Sequence, residues 1–196
     1  MNLKRLGMAV VVLGATATVF AQTVQQSNHD IVPAWEISGS YEAMRANTAA
    51  GQCGCFWMNG GGGGVTANLN RAVGLVADLS AAHASGINGT TEGLTVFNYQ
   101  FGPRYSLRTH SRFTPYGQFL LGGSRVSSNY AFYGSGSNFF ASTLGAGVQF
   151  KASRHFALTL LEADWVFSNA VNTGNYRQNN LKLATGAVYR FGERKR

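Results

Sequence analysis

The feature that most constrains this fold is a two-residue alternation, cleanest over residues 180–191, N-L-K-L-A-T-G-A-V-Y-R-F. Leu181, Leu183, Ala187, Tyr189 and Phe191 share one parity, and Lys182, Ala184, Gly186, Val188 and Arg190 share the other. Successive side chains of a strand point to opposite faces. One face of this segment is therefore apolar and ends in two aromatics, while the other is small or cationic. A run of about eleven residues suits a strand tilted across a membrane, with lipid on one side and a polar lumen on the other. A soluble ligand-binding barrel would be greasy inside and polar outside, which is the reverse.

Seven earlier segments repeat the pattern, at 35–47, 56–69, 73–84, 94–108, 115–127, 139–152 and 156–168. In the first, Trp35, Ile37, Tyr41 and Ala43 alternate with Glu36, Ser38, Ser40 and Glu42. In the fourth, Phe97, Tyr99, Phe101, Tyr105 and Leu107 oppose Asn98, Gln100, Gly102 and Arg104, with Pro103 expected to mark a bulge or a break in pairing. In the sixth, Phe140, Leu144, Ala146, Val148 and Phe150 face outward, with Thr143, Gln149 and Lys151 inward. The fifth does not declare its facing, because Phe119 and Leu121 compete with Tyr116 and Leu120. In the seventh, Leu161, Ala163, Trp165 and Phe167 oppose Glu162 and Asp164, but Leu158 and Leu160 break parity, through burial inside or a bulge. Connections after the odd strands are long and polar, and those after the even strands are mostly short. That asymmetry belongs to bacterial outer-membrane barrels, with short periplasmic turns and longer extracellular loops. The expected fold is all-β, an eight-stranded antiparallel up-and-down transmembrane barrel.

Composition agrees. Only 12% of the chain is Asp, Glu, Lys or Arg, about half the share in soluble domains. Residues 1–21 read as a signal peptide: Lys4 and Arg5, an uncharged apolar run over 6–15, then Val19-Phe20-Ala21 before a cut at Gln22. Losing Lys4 and Arg5 takes the formal charge from +8 to +6. The remaining cations are read as spread out, and no nucleic-acid partner is expected. Residues 22–34 form a periplasmic lead-in, 35–191 the barrel, and 192–196 a basic C-terminal tail. The glycine run 60–64 lacks the Lys-Ser or Lys-Thr and the helix of a phosphate loop, so it reads as a device for bending a small barrel.

The signal peptide, the eight alternating segments and the terminal Gly186-Ala187-Val188-Tyr189-Arg190-Phe191 together resemble the OmpA-like, eight-stranded outer-membrane β-barrel family. The runs 68–78 (N-L-N-R-A-V-G-L-V-A-D) and 102–105 (G-P-R-Y) are also similar to strings of that superfamily. The resemblance implies that Tyr189 and Phe191 contribute to a signal read by the barrel assembly machinery. One departure is that Phe191 is not C-terminal, because Gly192-Glu193-Arg194-Lys195-Arg196 follows.

If the alternation holds, Glu36, Glu42, Asp78, Glu162 and Asp164 point inward with Arg104, Lys182 and Arg190. Charges in a narrow lumen must pair or hold water. The expectation is a plug, with a narrow water or ion path as the alternative, since eight strands leave little bore. Catalysis would need a nucleophile, a histidine and a carboxylate at the outer leaflet. His83, with Ser80 and Ser85, lies near the outer end of a strand; His110 with Ser111, and also His29 and His155, fall on the periplasmic side. No triad signature results, and no enzyme activity, cofactor or metal is expected. Cys53-Gly54-Cys55 reads as a loop disulfide or inert thiols. Tyr130, Phe132 and Tyr133 sit in the third long loop, packed on one another or touching a partner. The expected protein is a monomeric, non-enzymatic outer-membrane anchor in contact with lipid and lipopolysaccharide. A narrow pore or small-ligand transporter is the alternative.

Overall fold

The computed structural model describes residues 32–46, 55–86, 93–128, 137–170 and 177–194. The 1–21 segment, most of the 22–34 lead-in, His29, Cys53, Tyr130, Phe132, Tyr133, Lys195 and Arg196 lie outside the described residues. Eight strands follow in order: β1 Val32–Ala46, β2 Phe56–Asn68, β3 Val73–Ser85, β4 Gly93–Ser106, β5 Phe113–Ser128, β6 Ser137–Lys151, β7 Phe156–Ser168 and β8 Gln178–Arg194. Each pairs antiparallel with the next, and β8 returns to β1 to close the barrel. Closure leaves no open sheet edge. No helix among the described residues is long and apolar enough to cross a membrane, and the strands make the crossing instead.

The β1–β8 seam sets Trp35 opposite Phe191, Ile37 opposite Tyr189 and Arg45 opposite Leu181. The two backbones come close enough at the seam that a Cβ on Gly186 would lie 2.1 Å from the Gly39 carbonyl oxygen. Both seam strands run past their expected ends. β1 takes in Val32 to Ala34, and β8 continues through Gly192, at φ 68°, to pair Glu193 with Pro33 and Arg194 with Val32. Residues 192–194 are thus strand, not tail.

The outside is apolar. Phe101 is 68% exposed, Leu144 67% and Trp165 62%, which is untenable in water and natural against lipid. β5 resolves with Phe113, Phe119 and Leu121 outward and Tyr116, Gln118 and Leu120 inward. The break in β7 is a bulge. Its register against β8 shifts between Thr159 and Glu162, and Leu158, Leu160 and Leu161 all face outward. At Pro103 the expected break in pairing is present without a bulge: the β4–β5 ladder passes from Phe101↔Leu121 to Arg104↔Gln118 in one register and leaves Gly102 and Pro103 unpaired to β5. Lys151, expected inward, is exposed at the strand's end.

Aromatics gather at two levels. At the end with connections 69–72, 107–112 and 152–155 (the turn end), the Phe113 and Phe150 rings lie 5.3 Å apart, Phe156 and Tyr189 5.2 Å, and Tyr189 and Phe191 5.9 Å. At the opposite, loop end, Tyr41 Oη donates to Asn59 Oδ1 (2.9 Å) and Trp165 Nε1 to Asn179 Oδ1 (3.2 Å). An apolar body with a hydrogen-bonding tip suits the interface between hydrocarbon and headgroup.

Candidate functional site

The eight inward residues expected from parity all line the lumen, and the structure groups them in layers. At the turn end, Glu36 Oε1 accepts from Arg108 Nη2 (2.7 Å) and Asn68 Nδ2 (3.1 Å), with Arg190 Nε 3.8 Å away. Arg190 Nη2 donates to Gln149 Oε1 (2.7 Å). Arg108 starts in the β4–β5 turn and reaches β1 and the β2–β3 turn, so its side chain spans the mouth of the lumen.

The middle layer is denser. Lys182 Nζ lies 3.0 Å from Asp164 Oδ2, 3.5 Å from Glu42 Oε1 and 3.8 Å from Asp78 Oδ1. Arg104 donates from Nε (3.0 Å) and Nη2 (2.6 Å) to Gln118 Oε1, lies 4.4 Å over the Tyr116 ring, and approaches Glu162 Oε2 at 4.0 Å. Tyr116 Oη donates to Glu162, and Gln118 Nε2 donates to Glu162 Oε1 (3.2 Å) and Asp164 Oδ1 (3.3 Å). A continuous polar network thus joins β4, β5, β7, β8, β1 and β3. Truncating one member of such a network strands a buried charge, which costs about 3–5 kcal/mol.

Glycines make room for this network. Gly145 and Gly147 of β6 face Gln118 and Tyr116 near their β5 register and Asp164 and Glu162 on β7. With no side chain there, β5 groups bond β7 carboxylates directly across the bare strand. On the opposite side of the barrel, a Cβ on Gly62 of β2 would lie 2.3 Å from Glu42 Oε1. The glycine run therefore clears space for a buried carboxylate, which the bending role alone did not anticipate.

Toward the loop end the lumen turns apolar. Met44 and Met58, opposite each other on β1 and β2, are 1% and 0% exposed and pack with Ala46, Ala82, Ala84 and Val96. Phe56, Leu94 and Val126 cover this collar. Parity reasoning missed the collar because β2 was given no facing. Parity does not reveal Tyr116 and Gln118, because β5 carries apolar residues on both faces, nor Arg108, which the alternation places at the end of a strand. One signal for Arg108 was present: five inward carboxylates faced four inward cations, of which Lys151 stood at the end of its strand.

The histidines and acids lie apart. His83 is exposed on the outer face, where Nδ1 meets Thr95 Oγ1 at 2.9 Å, whereas Ser80 is buried in the lumen. The barrel wall separates His83 from Asp78, Glu42 and the other lumen carboxylates. His155 Nδ1 lies 3.2 Å from the Arg190 carbonyl oxygen, and its ring stacks on Tyr189. Among the described residues, no group of three or more His, Cys, Asp or Glu is arranged to hold a metal ion. Tyr189 and Phe191 stand on the outer wall beside the seam, 44% and 37% exposed.

No curated protein matches the chain by sequence. Among solved structures, Neisserial surface protein A superposes with TM-score 0.62 at 16% identity, covering 81% of this chain and 97% of its own. Ail, the attachment invasion locus protein of Yersinia pestis, gives 0.56 at 16% identity over 82% of this chain and 100% of its own. OprG of Pseudomonas aeruginosa gives 0.52 at 13% identity, covering 82% and 97%. These identities establish a shared eight-stranded fold and no more. The family model described as the outer membrane protein beta-barrel domain matches residues 9–191, and the chain belongs to that family of outer-membrane barrels.

Proposed function

We propose that this protein is a non-enzymatic anchor in the outer membrane, a sealed barrel that holds its loop-end segments at the surface and admits no solute. The observation that carries this reading is the stacking of three closures in one lumen. Arg108 and Glu36 bridge the turn-end mouth, Lys182 and its carboxylates fill the middle, and Met44 and Met58 cap the loop-end half. An apolar constriction sheds water, and a paired ionic layer blocks ions, so the two resist permeation by different physics. Export through a cleaved signal peptide at 1–21, insertion by the assembly machinery through Tyr189 and Phe191, contact with lipopolysaccharide, and a monomeric state belong to the same reading. Liposomes carrying the purified protein should show no sugar-driven swelling above protein-free liposomes. Swelling that scales with protein content would count against the anchor.

A narrow water or ion path is the second reading. It draws on Asn98, Gln100 and Asn180, buried lumen residues that each have an amide atom without a protein hydrogen bond. Ail has been solved with a heparin analogue. Polyanion binding by the loop segments is a poor fit here, because the loop-end connections 47–55, 86–92, 129–136 and 169–177 carry one cation, Arg177, against one carboxylate, Glu92.

A further inference from the structure

One region of the outer wall is bare. Gly61, Gly63 and Ala81 floor a groove of about 400 Å³ on β2 and β3, walled by Leu79 and Phe97. Gly39 pairs with Gly63 and extends the bare strip onto β1. Packing does not demand glycine at 39, because a Cβ there would meet no atom within 4 Å. The wall above this groove is ordered in its chemistry. One rung closer to the loop end, Asn59 and His83 stand opposite each other on β2 and β3. Asn59 Oδ1 accepts from Tyr41 (2.9 Å) and His83 Nδ1 meets Thr95 Oγ1 (2.9 Å). Asn59 Nδ2 and His83 Nε2 have no protein partner among the described residues. One rung higher, Arg45 faces Trp57, exposed on the outward parity and in no ion pair among the described residues. The connection 47–55 that follows it contains no Asp or Glu. The described residues place no carboxylate on the loop-end half of the outer wall, and Glu92 belongs to the connection between β3 and β4.

Successive residues on one face of a strand are about 7 Å apart. From its floor upward the wall therefore presents an apolar trough, then hydrogen-bonding amide and imidazole groups, then a guanidinium. An acylated, phosphorylated lipid has the same order along its length: chain, carbonyl linkage, phosphate. Within a membrane, close packing decides which surface holds a chain, since lipid tails are as apolar as the wall. A trough gives an acyl chain more contacts than a convex wall does, and guanidinium matches phosphate in charge and in its planar fork. Short turns mark the far end of the barrel as periplasmic, so the trough opens toward the outer leaflet. We propose that the β1–β3 wall binds one molecule of lipopolysaccharide, the phosphorylated acyl glycolipid of that leaflet. One chain lies over Gly61, Gly63 and Ala81, its carbonyl meets Asn59 and His83, and a phosphate meets Arg45. This site gives a place to the lipopolysaccharide contact of the anchor reading, on which it rests, and it is independent of whether the lumen is sealed.

The whole mature barrel in octyl glucoside micelles is titrated with purified bis-phosphorylated lipid A, and native mass spectrometry counts the lipids bound per barrel. A saturable one-to-one adduct is expected. Arg45→Gln should weaken it about tenfold, the loss of roughly one charge-assisted hydrogen bond. Ala81→Phe fills the trough from the lipid side and should weaken it by a similar factor. Ala146→Phe makes the same change at an exposed outward position on β6, away from the groove, and should bind as the native barrel does. All three positions are exposed on the outer wall, and heat-modifiable gel mobility checks that each variant is folded. No saturable adduct, an adduct that Arg45→Gln and Ala81→Phe leave unchanged, or equal weakening by Ala146→Phe would overturn the proposal. Liposome swelling, which tests the anchor, is read separately. A leaking barrel that still binds one lipid A keeps this site and loses the seal, and a sealed barrel that binds none loses this site alone.

Discussion

Asp164 on β7 lies directly across the ladder from Gly145 on β6, and a Cβ on that glycine would stand 1.8 Å from Asp164 Oδ1. Asp164 is fully buried, accepts from Gln118 and pairs with Lys182, so it has no open direction in which to retreat. Gly145→Ala should destabilise the barrel by about 1–3 kcal/mol, the usual cost of overpacking. Urea titration in micelles reads this directly. Because the two residues touch, the cost should fall markedly in an Asp164→Ala background. Equal costs in both backgrounds would mean that the glycine is not there to accommodate the carboxylate.

Among the described residues, Lys182 is the one cation within ion-pair distance of Glu42, Asp78 and Asp164. Lys182→Met strands three acids in the lumen and should cost about 3–5 kcal/mol. Lys182→Met with Asp164→Asn removes one of those acids and should recover part of the loss. Stability unchanged in the single variant would show that the middle layer is solvated, not paired.

The lipid-facing assignment predicts a depth-dependent penalty. Leu144 sits mid-strand on β6 and is 67% exposed. Leu144→Arg should cost about 2–4 kcal/mol in lipid bilayers, against about 0–1 for a similar change near the headgroups. Arg125, outward at the loop end of β5, already places a cation at that shallower level. A negligible cost at Leu144 would argue that this face meets water.

Phe191→Ala should slow membrane insertion, measured by the rate at which heat-modifiable protein appears, since the residue sits beside Trp35 on the closing seam. Removal of 195–196 should leave that rate unchanged. Removal of 192–196 should slow it, because Glu193 and Arg194 pair with Pro33 and Val32. Equal rates for both truncations would mean that the seam does not need its last two pairs.

The strands and their facing were legible because lipid and lumen demand opposite chemistry at alternate positions, so β1, β4, β6 and β8 carry their orientation in plain parity. β5 did not, since Leu120 is an apolar residue on the inward parity, fully buried opposite Thr143 of β6. The β7 bulge was visible only as a defect at Leu158 and Leu160, because a bulge adds a residue without changing composition. Lumen membership could be read from parity, but pairing could not. Tyr116 reaches Glu162 from two strands away, and only the shear of the closed barrel decides which inward groups share a level. The glycines hid their role for the same reason, since the side chain each one accommodates comes from another strand.

The central claim is that ion pairs and an apolar collar close the lumen. Single-channel recording in planar bilayers tests it most directly. The account predicts no stable openings for the native barrel, even at high salt. Large, long-lived openings of the native protein would contradict it.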